Sequence, residues 1–155
     1  MDEIKVFRDK VITDNLNLHQ KNFGIIEYGK LVLMPEEFLY LVSNNKIKTK
    51  YSFDAAILKF SKKIYNKFII YSDLRKKGYI LKSGLKFGSD FRVYDKNKFN
   101  EHSKWLLNVI TTDKISKKDF SAMNRLANST KKNIILAYLD SENGISYFEI
   151  SWKKL

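Results

Sequence analysis

Residues 82–105 read KSGLKFGSDFRVYDKNKFNEHSKW, and this stretch decides how the second half of the chain folds. Glycines in its first part favour a bend in a connection, the β-forming residues FRVY follow, and a polar run leads to HSKW. This pattern predicts one strand over Phe91–Asp95 and another over His102–Thr111. The stretch also holds Tyr94 and His102 close together in the sequence, and His102 is one of two histidines in the chain.

Patterns on both sides of this stretch predict further strands and two helices. Ser52 is a suitable N-cap for a long helix over residues 53–77, which Gly78 would end. A second helix is predicted over residues 116–132, with Ser116 as its N-cap. Further strands are predicted at Tyr79–Lys82, Asn133–Asp140 and Ile145–Trp152, with a turn at Ser141–Gly144. We therefore expect a mixed α/β domain in which helices flank a central sheet.

The first part of the chain predicts a small β-rich unit with one clear helix. The helix, PEEFLYLVSNN, begins at Pro35 and has two acids in its first turn, and both features are favourable at a helix N-terminus. His19 lies among polar residues and is interpreted as an exposed loop histidine. Short strands are predicted at Ile4–Arg8, Val11–Asn15, Phe23–Tyr28, Lys30–Met34 and Ile47–Tyr51. Together the two parts predict the α+β fold class.

The chain of 155 residues has a net charge of +12, and the positive charge is concentrated in its second part. Residues 1–61 carry 9 Lys+Arg and 8 Asp+Glu, whereas residues 62–155 carry 20 and 9. Because the charge balance changes there, we predict a boundary between two units near residue 61. A polyanionic partner is expected at the second unit.

The composition excludes several classes of protein and of chemistry. No apolar run approaches the roughly 18 residues of a transmembrane helix, and the first residues do not resemble a secretory signal, so we expect a cytoplasmic protein without membrane contact. Without cysteine, and with two histidines far apart, the sequence offers no metal-ligand cluster. It also lacks a nucleophile elbow and a phosphate-binding P-loop. We therefore expect no metal and no other cofactor.

Metal-free cleavage of RNA requires fewer groups, and the sequence contains them. RNA carries its own nucleophile, so the protein must remove the 2′-hydroxyl proton, protonate the 5′-oxygen and stabilise the charged phosphorane. His102 could act as the acid, Lys132 could supply positive charge, and Tyr94 could act as the base if cations surround it. Taken singly, however, each has an ordinary alternative. Tyr94 could be a packing residue, His102 an exposed histidine, and Lys132 a cation at a helix end.

Three further runs extend the pattern: YSDLRKKGYILKSGLKFGSDFRVY at 71–94, HSKWLL at 102–107 and RLANSTKKNIILAYLD at 125–140. In this order they resemble the archaeal tRNA-splicing endonuclease family, and the similarity is collinear over about 64–152. The resemblance implies a catalytic subunit with an N-terminal assembly domain, 1–61, and a C-terminal catalytic nuclease domain, 62–155. It implies metal-independent cleavage of precursor tRNA at bulge–helix–bulge intron boundaries, which leaves 2′,3′-cyclic phosphate and 5′-hydroxyl ends.

The resemblance also assigns roles to individual residues. Tyr94 is expected to be the general base, His102 the general acid and Lys132 the stabiliser of the phosphorane, with Lys131 as the alternative one position away. Arg125 and Trp152 are expected to hold a bulge base between them, because bulge bases are splayed out and stack well.

Family members assemble as tetramers, and the resemblance implies contacts through the last strand and the loop Asp140–Gly144. That loop is thinly acidic here, so both a homotetramer and a heterotetramer with a structural sister subunit remain open. An alternative function is a non-catalytic RNA-binding or assembly subunit of a splicing endonuclease. Another is a general basic module that binds nucleic acid.

Overall fold

The computed structural model describes residues 2–96 and 102–155, and the chain divides into two compact units. One unit ends at Ser72 and the other begins at Asp73. Each unit contains its own sheet together with helices, so the α+β class expected from the sequence is confirmed. The assembly and catalytic domains divided at residue 61 remain a prediction.

The first unit is built on a four-stranded sheet whose neighbouring strands are all antiparallel. Val11, Leu31 and Leu33 are fully buried and fill its core. Gly24 has a left-handed φ of +67°, and a Cβ there would lie 2.7 Å from the Val32 carbonyl oxygen, so this close approach needs glycine. The strands are β1 (Ile4–Val6), β2 (Val11–Thr13), β3 (Ile25–Glu27) and β4 (Lys30–Leu33). Their spatial order is β1-β2-β4-β3.

A short helix, α1 (Asn17–Gln20), occupies the segment interpreted as a loop. His19 is only partly exposed, and among the described residues its buried Nδ1 atom has no hydrogen-bond partner. The interpretation of His19 as an exposed loop histidine is therefore wrong. The reason is the neighbouring Leu18, which is 3% exposed and carries this segment toward the core of the unit.

The helix predicted at Pro35 is confirmed as α2 (Pro35–Ser43). Its third residue, Glu37, is buried at 1% exposure. The carboxylate accepts hydrogen bonds from the backbone N–H of Met34 at 2.9 Å and of Gly24 at 2.6 Å. These charge-assisted bonds compensate for removing the carboxylate from water and fix the start of the helix.

The single helix predicted over residues 53–77 is wrong, because the segment forms two helices, α3 (Phe53–Ile57) and α4 (Lys63–Lys76). Ser52 does cap the first one, since its Oγ accepts a hydrogen bond from the Ala55 N–H at 3.2 Å. Helix α4 ends just before Gly78, whose φ of +97° suits glycine, as expected.

Aromatic packing explains the break between these helices. Phe60 lies in the break at 8% exposure, and its ring meets that of Phe38 edge-on at 6.4 Å between centroids. Phe53 of α3 and Phe68 of α4 are 5.1 Å apart, a contact that requires the two helices to fold back on each other. The apolar spacing continues at a helical period through the break, so the pattern alone predicts one helix.

The strand predicted at Ile47–Tyr51 is also wrong, since no strand forms in this described segment. Ile47 is 8% exposed, and the Tyr51 ring meets the Phe38 ring edge-on at 6.3 Å. These β-forming side chains therefore anchor an irregular segment in the core instead of pairing in the sheet.

The second unit is built on a five-stranded sheet with the spatial order β5-β6-β7-β8-β9. All neighbours are antiparallel except β7 and β8, which are parallel and are joined by the crossover helix α5 (Lys117–Ser129). The strands are β5 (Ile80–Ser83), β6 (Phe91–Tyr94), β7 (Trp105–Ile110), β8 (Asn133–Leu139) and β9 (Ile145–Ile150). All five were predicted, although β7 begins at Trp105 and not at His102.

Helix α5 begins where the sequence predicts but ends earlier than predicted. Ser116 caps its start as predicted, accepting a hydrogen bond from the Asp119 N–H at 3.0 Å. Its C-terminus falls at Ser129, so the prediction that the helix reaches Lys132 is wrong. Lys131 has a left-handed φ of 57°, and the Lys132 N–H returns to the Ala127 carbonyl at 2.8 Å. This Schellman-type ending stops the helix and turns the chain into β8.

Candidate active site

The ends of three strands meet at one edge of the second sheet. Val93 of β6 pairs with Trp105 of β7, and Trp105 pairs in parallel with Asn133 of β8. The end of β6 and the starts of β7 and β8 therefore lie at the same edge. Tyr94 is the last residue of β6, and Lys132 directly precedes β8. We refer to this edge as the active edge.

Tyr94 is buried against the sheet at 9% exposure. Side chains alternate along a strand, so Tyr94 and Arg92 lie on the same face of β6. The Arg92 Nη1 donates a hydrogen bond to the Tyr94 hydroxyl at 3.4 Å, a long contact. The strand partner of Arg92 is Lys82, a lysine at only 5% exposure on the same face. Two cations therefore share the face of the sheet that carries Tyr94.

Lys132 is held between β8 and the segment that precedes β7. Its Nζ donates a hydrogen bond to the Ser103 carbonyl oxygen at 2.7 Å. Burial, followed by the nearby charge of Arg92, lowers the pKa of Lys132 below its ordinary value. Both causes disfavour the charged form, and the attraction of an approaching anion would counteract them.

His102 is exposed and immediately precedes Ser103, the residue whose carbonyl binds Lys132. Ser103 itself is 6% exposed, so the backbone beside the histidine is fixed although the imidazole reaches solvent. The structure thus links the neighbourhood of His102 to Lys132 across the active edge. Residues 97–101, including the polar run expected before His102, lie outside the described residues.

Two residues that contact this cluster, Phe87 and Arg92, were not expected from the sequence to belong to the site. Phe87 belongs to a short 3-10 helix, Leu85–Phe87, where only a bent connection was expected. Its ring lies under both cations, with the Arg92 Cζ at 5.4 Å and the Lys132 Nζ at 6.0 Å from its centroid. The strand period could have identified Arg92, since it lies two residues before Tyr94. No sequence pattern indicated Phe87.

Arg125 and Trp152 are both exposed. Arg125 lies on α5. Trp152 follows β9 and is 55% exposed. Ile150 at the end of β9 pairs with Ile134 near the start of β8, so Trp152 follows a strand that ends at the active edge. In the part of the chain that the structure describes, no cation–π contact joins these two side chains.

The loop Asp140–Gly144 is stabilised by its own hydrogen bonds. One oxygen of Asp140 accepts from the N–H groups of Glu142 at 2.9 Å and Gly144 at 2.8 Å. The following strand, β9, is the edge strand of the sheet, and its Phe148 is 56% exposed. Both features are compatible with contacts to another chain, and that assembly remains a prediction.

Over residues 2–96 and 102–155, no group of three His, Asp or Glu side chains is arranged to hold a metal ion. None of the helices in the same ranges has the length and apolarity needed to span a bilayer.

Fold and site together define an α+β protein whose second unit places Tyr94, Arg92, Lys132 and the exposed His102 near one sheet edge. Residues 64–147 match the family described as tRNA intron endonuclease, catalytic C-terminal domain. The chain is also similar to proteins named tRNA-splicing endonuclease, which cover nearly all of it. It belongs to the tRNA intron endonuclease family, and the resemblance found in the sequence is thereby confirmed.

Three of these relatives show the extent of the similarity. The Thermococcus onnurineus protein is 38% identical over 95% of this chain and 90% of its own length. The Pyrococcus abyssi protein is 37% identical over 99% and 93%, respectively. The Methanothermobacter thermautotrophicus protein is 34% identical over 83% and 71%. The similarity therefore extends well beyond the C-terminal domain.

Proposed function

We propose that this chain is the catalytic subunit of a tRNA-intron endonuclease. It cuts precursor tRNA at bulge–helix–bulge intron boundaries, without a metal ion, and leaves 2′,3′-cyclic phosphate and 5′-hydroxyl ends. The observation that carries the proposal is the hydrogen bond from the Lys132 Nζ to the Ser103 carbonyl, at 2.7 Å. This bond ties the lysine to the backbone beside His102, at the edge where β6 ends in Tyr94.

The proposed reaction is a transfer within the RNA. Tyr94 removes the proton from the 2′-hydroxyl, and the 2′-oxygen forms a bond to the adjacent phosphorus. The bond from phosphorus to the 5′-oxygen breaks, and His102 donates a proton to that oxygen. The products are a cyclic phosphate on one fragment and a free 5′-hydroxyl on the other, so no water is consumed in the step.

Lys132 is proposed to stabilise the negative charge that develops on the phosphorane. Its ammonium group has three N–H donors, and the Ser103 carbonyl uses one of them. The remaining donors are available to a phosphate oxygen. Because the bond to Ser103 fixes the ammonium group before RNA arrives, little reorganisation is needed when the charge develops.

The surroundings of the active edge suit an RNA backbone. Lys104 and Lys96 are exposed there, with their Nζ atoms 4.6 Å from the Trp105 ring centroid and 5.0 Å from the Tyr79 ring centroid, respectively. Such cations release counterions when phosphates bind, which favours association with RNA in general. Arg125 and Trp152 are proposed to close on a bulge base when RNA is bound, since stacking needs a splayed base between them.

Assembly is proposed through β9 and the loop Asp140–Gly144. An exposed edge strand with an accessible phenylalanine is suited to pairing with a second chain. The partner is either another copy or a structural sister subunit. Mass measured in solution distinguishes a homotetramer from a smaller species that requires a sister subunit.

The test is cleavage of a bulge–helix–bulge RNA by the purified chain in excess EDTA. We expect two cuts and cyclic-phosphate ends, and we expect His102→Ala to be slower by about 10²–10⁴-fold because the acid is lost. His19→Gln is the matched control, because it removes the second of the two histidines, which lies in the first unit. This variant should cut at the wild-type rate.

The alternative, a non-catalytic RNA-binding or assembly subunit, gives a different result. Such a chain would bind the RNA but would leave it intact when tested alone. It would also leave the RNA intact when mixed with a second family subunit whose own catalytic histidine, the equivalent of His102, has been replaced. Cleavage that requires added metal would also contradict the proposal, as would equal rates for His102→Ala and wild type.

A further inference from the structure

The Arg92 side chain is fixed by contacts on three sides. Its Nε donates a hydrogen bond to the Ser83 carbonyl on β5 at 2.8 Å, and its guanidinium carbon lies 5.4 Å from the centroid of the Phe87 ring. Its Nη1 reaches the Tyr94 hydroxyl at 3.4 Å. The planar fork of arginine makes these contacts simultaneously, which the single ammonium group of a lysine cannot do.

Arg92 is also held close to a second cation, Lys132. Both side chains approach the same Phe87 ring, and Lys132 is anchored by its bond to the Ser103 carbonyl. Two like charges near each other raise the free energy of the folded state unless an anion joins them. An RNA phosphate that binds here would relieve this repulsion, so the pair favours an anionic ligand at this place.

We propose that Arg92 is a positioning residue of the RNA-cutting site, which holds the Tyr94 hydroxyl in place and sets the charge environment of Lys132. The inference rests on the proposed function. Arg92 acts through its two neighbours: the hydrogen bond orients the base, and the charge tunes the phosphorane stabiliser.

Lys132 has several titratable and charged neighbours at this edge. The titratable and charged groups on the segments that meet at this edge are Lys82 on β5, Arg92 and Tyr94 on β6, Asp95 and Lys96 after it, His102 and Lys104 before β7, Arg125 on α5, Lys131 after it, and Glu149 on β9. Among the described residues, burial and then the charge of Arg92 lower the pKa of Lys132. Removing the arginine charge should therefore raise that pKa.

The experiment compares Arg92→Met with Arg92→Lys in single-turnover cleavage at saturating RNA over a range of pH. Arg92→Met should lower the plateau rate by roughly 10–100-fold and move the alkaline loss of rate to higher pH. Arg92→Lys keeps the charge, so it should lower the plateau while the alkaline loss stays where it is. Lys132→Arg identifies which limb belongs to Lys132, because a guanidinium does not titrate in this range.

Arg8→Met is the matched control, since Arg8 is an exposed arginine of the first unit, and its pH profile should match that of the wild type. A lower melting temperature with an unmoved alkaline limb in Arg92→Met would show a structural role and overturn the inference. If Arg92→Met does not fold, Arg92→Lys provides the test. A plateau rate in Arg92→Lys equal to that of the wild type would then overturn the inference.

Failure of the proposed function would look different. If the wild-type chain leaves the RNA uncut, the proposed function is wrong, and kinetics cannot test the role of Arg92. The Lys132 Nζ can then be titrated by NMR without RNA in wild type and Arg92→Met. A midpoint that does not rise in the variant contradicts the coupling between the two cations.

Discussion

Lys131 and Lys132 are adjacent in the chain but differ in what their side chains reach. Lys131 is exposed and has the left-handed φ of 57° that ends α5. Lys132 is partly buried and donates to the Ser103 carbonyl at 2.7 Å. The resemblance left these two lysines as alternatives, and the contact beside His102 supports Lys132 for the catalytic role.

We predict that Lys132→Met lowers the single-turnover cleavage rate by about 10²–10³-fold, because a preorganised donor to the transition state is lost. Lys131→Met, the matched control, should remain within about threefold of wild type. Equal losses in both variants would contradict the assignment, and loss in Lys131→Met alone would reverse it.

The pKa of Lys132 predicts the form of the alkaline pH profile. Because burial and Arg92 lower this pKa, the lysine loses its proton at a lower pH than an ordinary lysine, whose value is 10.5. The contribution of Lys132 to the cleavage rate should therefore be present below this pKa and should be lost as pH rises through it. After spontaneous RNA hydrolysis is subtracted, Lys132→Arg should lack the contribution of Lys132 to the alkaline fall in rate, whereas the contribution of the general acid, His102, should remain.

The end of helix α5 holds Lys131 in a strained backbone conformation, with a φ of 57°. A lysine in the left-handed region costs about 1–2 kcal/mol, which glycine avoids. We predict that Lys131→Gly raises the free energy of unfolding by about 0.5–1 kcal/mol, after allowing for the more flexible unfolded chain. Denaturant titration measures the change, and a less stable variant would contradict the Schellman-type ending.

Hydrogen bonds join the end of helix α4 to strand β9. The Asp73 carboxylate accepts hydrogen bonds from the Tyr147 hydroxyl at 2.6 Å and from the Lys77 Nζ at 2.8 Å. Burial raises the pKa of Asp73, but the bonds from Lys77 and Tyr147 and the charges of Lys77 and Lys76 outweigh it and leave the pKa below 3.8. Burial, followed by the hydrogen bond to Asp73 and its charge, raises the pKa of Tyr147 above 10.0.

These shifts set the pH window of the stabilisation. The lowered pKa of Asp73 gives stability that is present above pH 3.8 and is lost as pH falls through the lower folded value. The raised pKa of Tyr147 gives stability that is present below pH 10.0 and is lost as pH rises through its folded value.

We predict that Tyr147→Phe lowers the free energy of unfolding by about 1–2 kcal/mol near neutral pH, because a hydrogen bond to a carboxylate is lost. Denaturant titration over pH should show the difference from wild type shrinking at both extremes. Tyr138→Phe is the matched control, since its hydroxyl donates to Asp113 at an exposed site and should contribute less. A constant difference between pH 3 and pH 11 would contradict this account.

The elements also show why the sequence predicted some features and missed others. Strands such as β6 and β8 were predicted because β-forming residues are bounded by turn residues. The break after α3 was missed because Phe60 keeps the helical spacing while its ring packs on Phe38. Such tertiary contacts leave no local pattern. The same holds at the site, where Phe87 joins Arg92 and Lys132 through space.

The two parts of the chain divided at residue 61 differ in charge, and the two units of the structure differ in fold. The second part of the chain carries most of the excess of Lys+Arg, and the active edge lies in the second unit. Sequence patterns identified Tyr94, His102 and Lys132 only singly, because 8 residues separate the first two and 30 separate the last two. Sheet register explains why their segments meet. The Arg125–Trp152 clamp remains a prediction, since it needs RNA between the two side chains.

In the proposed mechanism the RNA supplies its own nucleophile, and this chain supplies the base, the acid and the cation. The most direct test uses a bulge–helix–bulge RNA with a single 2′-deoxynucleotide on the 5′ side of one cleavage site, incubated with the wild-type chain in EDTA. We predict that the modified site stays intact while the other site is cut to a 2′,3′-cyclic phosphate. Cleavage at the deoxy site at a rate near that of the unmodified site would contradict the account, because water would then be the nucleophile.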